Sequence, residues 1–216
     1  MTRWLAACLL LVAWGPAVSG GDVFAHPATP AQLLELVGPS ARTLAAQPVL
    51  AGTFAQRKFL RELPTPLRSD GDFVFSKELG VVWHTVRPFD SELVLTREGM
   101  TQRAQGAQTA RVDAAQQPAV RVSVELFFAL FALDVDRLAA DFELFATKAG
   151  EGWQLGLRPR PGAALAAAFS SVVIDGAQRM TRVELVEANG DRSEIDLLTM
   201  DRLPHLTDEQ RRQLSG

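Results

Sequence analysis

The chain has 216 residues, 47% of them hydrophobic and 22% charged, which is the composition of an ordered globular protein and excludes a disordered or collagen-like one. Its 22 basic and 25 acidic residues leave a formal charge of −3, so the electrostatic footprint of a nucleic-acid binder is absent. A single cysteine excludes an intrachain disulfide, and the length is sufficient to bury a core without one.

The first nineteen residues read as a secretory signal peptide. Arg3 supplies the positive start, residues 4–14 form an almost unbroken apolar run, and Gly15-Pro16 breaks it. Ala17 and Ser19 then place small residues at the −3 and −1 sites. The run is too short to span a bilayer. A second candidate cut lies after Ala25, and Leu5-Ala6-Ala7-Cys8 resembles the lipobox of bacterial lipoproteins, although only seven residues precede Cys8. Removal of the segment takes away Arg3 and Cys8, leaving an exported chain that is slightly more acidic and free of thiols.

After a loose leader over 20–29, Thr29-Pro30-Ala31-Gln32 predicts a helix start, with Gly38-Pro39 interrupting the helix and Ser40 capping a second piece to about Gln47. From Val49 onward the period changes to two. Residues 71–77, 81–86 and 91–96 are short and alternating or β-branched, separated by turn signals at Ser69-Asp70-Gly71, Arg87-Pro88 and Glu98-Gly99, and they predict an antiparallel meander. Residues 123–133 are apolar nearly all round, as in a helix that is buried or covers a cavity. Strands resume over 142–147 and 153–158, joined through Gly150-Glu151-Gly152; residues 161–168 predict a helical turn. Strands over 171–174, 182–187 and 193–199 follow, the last two joined across Asn189-Gly190, and Thr207-Asp208-Glu209-Gln210 opens a terminal helix. With no internal boundary or repeat, residues 20–216 read as one mainly β domain with helices, of the α+β class.

The catalytic inventory is poor. His26, His84 and His205 show no metal-ligand spacing, and no nucleophile elbow or phosphate-binding loop is present. Gly150-x-Gly152-x3-Gly156 misses the dinucleotide spacing and reads as turn chemistry. Asp134-x-Asp136 reads as the end of one helix and the cap of the next; Asp72, Glu78 and Glu92 read as solvated strand residues. The expectation is a protein that is not an enzyme and uses no cofactor or metal. The apolar inventory is rich: Phe54, Phe73, Phe75, Val81, Trp83, Leu93 and Leu95 fall on consistent strand parities and, with the 123–133 helix, can line one sheet face. On pattern alone this face reads as an ordinary core; the sharper alternative is a wall left partly empty for an acyl chain.

Phe54-Ala55-Gln56 after a helix, then Gly71-Asp72-Phe73, Trp83-His84-Thr85, Pro88 and Ser91-Glu92-Leu93-Val94-Leu95, resemble the periplasmic outer-membrane lipoprotein carrier family LolA over about residues 30 to 100. The resemblance implies an unclosed antiparallel β-barrel, or strongly curved sheet, with a helical lid over a hydrophobic cavity. It implies a monomeric periplasmic shuttle that takes lipoprotein or other acylated lipid cargo from an inner-membrane transporter to an outer-membrane receptor lipoprotein. Carried over residue by residue, the lipid-binding set is Phe54, Phe73, Phe75, Val81, Trp83, Leu93 and Leu95 on the wall, Leu126, Phe127 and Leu130 on the lid, and Lys77 where the family carries a functional arginine. Glu78 replaces the proline that follows and Thr85 a larger apolar residue, so a specialised relative serving another lipid is also implied. An outer-membrane-anchored acceptor, or an accessory protein of a lipid pathway, is the alternative that the Leu5–Cys8 stretch would require; a periplasmic hydrolase is the third.

Overall fold

Alternation with period two becomes eleven strands in the computed structural model, which describes residues 22–215. The signal peptide expected over 1–19 lies outside the described residues. In chain order, α1 (Pro30–Ala45) precedes β1 (Val49–Phe59), β2 (Leu67–Ser76), β3 (Gly80–Arg87), β4 (Ser91–Thr96), β5 (Gly99–Ala104) and β6 (Ala107–Asp113). Then come α2 (Pro118–Ala132), α3 (Val135–Asp141), β7 (Phe142–Ala149), β8 (Gly152–Pro159), β9 (Phe169–Gly176), β10 (Met180–Glu187), β11 (Arg192–Leu203) and α4 (Asp208–Leu214). One antiparallel sheet results, in the order β6-β5-β4-β3-β2-β1-β11-β10-β9-β8-β7. Two meanders are thus joined where β1 pairs with β11, and β6 and β7 remain as edges, so the sheet is mainly β architecture that does not close into a barrel.

Helix ends follow their capping chemistry. Thr29 and Thr207 make reciprocal capping boxes with Gln32 and Gln210, and the Asp134 carboxylate accepts the Arg137 N–H to start α3, with Asp136 in its first turn. Three expectations about α1 and β2 are corrected. Gly38-Pro39 does not interrupt α1: Leu33, Val37 and Leu44 fall on one buried face, and this packing outweighs the donor that Pro39 lacks. Ser40 is not a cap; its hydroxyl donates to the Ala177 carbonyl. Ser69-Asp70-Gly71 is strand, not turn, and the chain reverses over 60–66. Gly71 is required there because a Cβ would run into the His84 carbonyl of β3.

Residues 22–28 are not a loose leader. Val23 is buried, and Phe24 lies edge-on to Phe145 with the Arg158 guanidinium 4.9 Å from its ring centre. His26 and Ala28 then hydrogen-bond along the edge of β7. Gly156 leaves the space for these side chains, since a Cβ would meet both Val23 and Phe24.

The main core unites α1, α2 and α3 with side chains from strands at both ends of the sheet, from Leu95 of β4 to Leu144 of β7. One sheet face therefore wraps the helices. The opposite face carries a smaller cluster, Val49, Val74, Val82 and Val94, covered by Leu206 and by Leu214 of α4. Farther along, it becomes ionic: Glu194, almost fully buried, is held by Arg57 at 2.6 Å, Arg192 at 2.7 Å and Arg182 at 3.0 Å. A buried carboxylate is tolerable when paired in this way.

Candidate functional site

Strand register sets the wall beneath α2. Across β1–β5 one inward row reads Leu50, Phe75, Val81, Leu95 and Met100, and the next reads Gly52, Phe73, Trp83, Leu93 and Gln102. Gly52 gives Phe73 its room, since a Cβ there would meet the Phe73 ring and the Thr199 carbonyl. Phe54 sits opposite Gly71 and uses the free space to stack on Trp83, ring centres 3.9 Å apart. Trp83 in turn stacks on Phe73 at 5.8 Å. Beyond these rows the inward positions turn polar, with Gln56, Ser69, Thr85 and Ser91, and Lys58 is paired to Glu187 at 2.8 Å.

The helix α2 closes the wall with rings. Phe131 lies 5.2 Å from Phe75 and 5.5 Å from Phe73, Phe128 meets Phe75 edge-on at 5.7 Å, and Phe127 stacks on Phe131 at 6.3 Å. The ladder Phe54–Trp83–Phe73–Phe131–Phe75–Phe128 is thus continuous from β1 to the helix. No side chain caps the start of α2, where Gln117 precedes Pro118. Its end is set by Leu133 in a left-handed conformation, φ 47°, which a leucine adopts only at a conformational cost of about 1–2 kcal/mol. Burial of the Leu133 side chain offsets it.

Of the residues singled out by sequence, Phe54, Phe73, Phe75, Val81, Leu95, Leu126 and Leu130 are buried in the main core, while Trp83, Leu93 and Phe127 are half-buried and packed on it. Leu126 lies on the flank of α2 near α3 and Leu165 and not on the ring ladder. Lys77 is exposed just past the end of β2, its N–H bonded to the Pro48 carbonyl. The rings that touch β2 are Phe128 and Phe131, each one position beyond a residue chosen from sequence. Their i, i+3 spacing was the available signal. Half-buried Met100, Phe169, Leu185 and Ile195 extend the apolar surface and were also missed.

Among the described residues no group of three His, Asp or Glu could hold a metal, and no helix is long and apolar enough to cross a membrane. Two of the strand acids are engaged: Asp72, together with Asp90, flanks His84, and Glu92 binds Arg103 and Gln213.

An unclosed antiparallel sheet whose inner wall is aromatic and covered by a helix defines a lipid- or lipoprotein-carrier fold. The chain belongs to the family of the outer membrane lipoprotein carrier protein LolA, whose model matches residues 47–210. Similar solved structures include a LolA superfamily protein from Nitrosomonas europaea, 11% identical at TM-score 0.45, covering 84% of this chain and 96% of that one. Another is a chain of the Pseudomonas aeruginosa MucA/MucB complex, 12% identical at TM-score 0.48, covering 82% and 59% respectively. A third is lipoprotein LppX from Mycobacterium tuberculosis, 10% identical at TM-score 0.40, covering 84% and 99%. No curated protein matches the sequence.

Proposed function

We propose that residues 20–216 form a periplasmic carrier that takes the acyl chain of a lipoprotein or related acylated lipid into the space between α2 and the wall of β1–β4. Delivery is to the outer membrane, between an inner-membrane transporter and a membrane-bound acceptor. The observation that supports this reading most is the ring ladder: α2 meets the sheet through separable aromatic faces, and Trp83, Leu93 and Phe127 keep part of their surface in solvent.

Magnitudes favour exchange of the helix for a lipid. Three ring pairs between α2 and β2, at about 0.5–1.5 kcal/mol each beyond area, are offset by burial of about two to six methylenes at about 0.8 kcal/mol apiece. An acyl chain that also re-covers the apolar area now buried by α2 displaces the helix and is released when the helix returns, which transfer requires. Packing of Val23 and Phe24 on the outer side of β7 and β8 supports cleavage near Ser19 over cleavage after Ala25.

The test is native mass spectrometry with lipid extraction on protein from its own periplasm. Acylated lipid or lipoprotein should copurify with wild type and be lost in Trp83→Glu. A bifunctional cross-link between Phe75→Cys and Phe131→Cys should block loading; loading at the wild-type level in the cross-linked protein would sink the displacement mechanism. The same spectra report the mature N-terminus: a free residue near Gly20 fits the soluble carrier, an acylated Cys8 the anchored acceptor.

A further inference from the structure

One edge of α2 opens on a cleft of about 410 Å³ that the ring ladder does not fill. Its floor includes Phe75 and Phe128, which also belong to the ladder, together with buried Val124. Its rim is basic: Lys77 from the β2–β3 turn, Arg97 from the β4–β5 turn, Arg121 from the first turns of α2, and Arg137 from α3. Two carboxylates, Glu125 and Asp134, also line the cleft, and both are engaged. Glu125 pairs with Arg137 at 3.0 Å, and Asp134 accepts the Arg137 N–H as the cap of α3. Among the described residues neither Arg97 nor Arg121 forms an ion pair. The Arg97 guanidinium lies over the Phe128 ring, 5.2 Å from its centre, where stacking holds it at the rim. In a chain of net charge −3, this is a local excess of positive charge over an apolar floor.

We propose that the cleft receives the phosphate group of an anionic acylated lipid, with Arg97 and Arg121 as its principal donors, while the acyl chain runs from the cleft along Phe75 into the space beneath α2. The inference rests on the carrier reading and narrows its cargo. The shared floor residues join the two regions, so one amphiphile spans both. A volume of about 410 Å³ suits a phosphorylated head, being at the small end of the range for small-molecule sites. Guanidinium groups bind phosphate oxygens through charge-assisted, paired hydrogen bonds. The triacylated cysteine of a lipoprotein carries no anionic group at its lipid and leaves these donors to water.

The experiment compares two probes with the same acyl chain, a lysophosphatidate and a monoacylglycerol, binding to the mature protein below their aggregation concentrations and followed by tryptophan fluorescence. Glycerol 3-phosphate is the third arm. Wild type should bind the lysophosphatidate about tenfold or more tighter than the monoacylglycerol, as expected for hydrogen bonds to a charged group. The preference should shrink with added salt. In Arg97→Gln/Arg121→Gln it should fall to about one and return in Arg97→Lys/Arg121→Lys, while exposed Arg68→Gln at the far end of β2 keeps it. Glycerol 3-phosphate should bind far more weakly than the lysophosphatidate. Equal binding of both amphiphiles by wild type, or a preference that survives the double substitution, overturns this inference and leaves the carrier reading standing. Glycerol 3-phosphate binding as tightly as the lysophosphatidate overturns the lipid source of the phosphate. Failure of both amphiphiles to bind defeats the carrier reading and the inference with it.

Discussion

The inner face of the sheet has an aliphatic half and an aromatic half, and they are covered differently. On β8 and β9, Leu155, Leu157, Val172 and Ile174 are completely buried, in one cluster with Leu33 and Val37 of α1 and Leu138 of α3. On β1–β5, Phe73 and Phe75 are buried, but Trp83, Leu93 and Met100 beside them, and Phe127 and Phe128 above them, are only half-covered. Interdigitated branched side chains lose many contacts at once when parted, whereas a ring pair adds only about 0.5–1.5 kcal/mol beyond the area it buries. Composition alone makes both halves look like core; coverage distinguishes a completely buried half from one that is partly open.

The sharpest way to break that comparison is to truncate one side chain in each half. Leu155→Ala should lower stability to urea by about 2–5 kcal/mol, the range for a fully buried leucine. Phe127→Ala removes a larger side chain but should reach no more than about half of the 3–5 kcal/mol of a buried phenylalanine, because solvent already covers part of the ring. Equal losses would mean that the two halves are one uniform core. Lipid capture should follow Phe127 and be unaffected by Leu155→Ala in the folded fraction.

A smaller effect sits at the end of α2. Leu133→Gly relieves a left-handed conformation worth about 1–2 kcal/mol but forfeits a buried side chain worth about 1.5–3 kcal/mol by transfer alone. A net loss of up to about 2 kcal/mol is expected, with amide exchange rising over 118–132 before it rises over 30–45. A gain in stability beyond about 0.5 kcal/mol would show that Leu133 does not anchor the helix.

Much of this arrangement is legible in the sequence, for identifiable reasons. The wall residues Phe73, Phe75, Val81, Trp83, Leu93 and Leu95 are readable because β2–β4 are regular and a period of two assigns each side chain to a face. The rotation of α2 is not readable: a helix apolar nearly all round carries no stripe to choose between Phe127 and Phe128, and tertiary contact decides. The β5–β6 hairpin is missed because its exposed edge residues, Gln108, Thr109 and Arg111 among them, carry no buried alternation. Ser69-Asp70-Gly71 misleads because a glycine needed for close strand approach looks the same as one needed for a turn. The basic cleft joins residues 77, 97, 121 and 137, which are close only after folding.

The smallest expected effect separates the inner face from the outer face of the same strands. His84 lies half-buried on the outer face, with Nδ1 3.1 Å from Asp72 of β2 and Nε2 2.8 Å from Asp90 in the β3–β4 turn. The hydrogen bond to Asp90, helped by Asp72 and opposed by partial burial, raises the imidazole above its usual value of 6.5. A protonated ring donates to both carboxylates; a neutral ring donates to only one. Since the folded state holds the proton more tightly than the unfolded chain, the stabilisation is complete below about pH 6.5 and is lost as pH rises through the folded value. The melting temperature of wild type should therefore fall from about pH 6 to about pH 8 more than that of His84→Gln, while lipid capture stays level across the same range. An identical slope in the variant would place the titration elsewhere. Capture that tracks His84 would show that the outer face is coupled to α2, and the half-covered aromatic wall could then no longer be treated as moving independently of the strands that carry it.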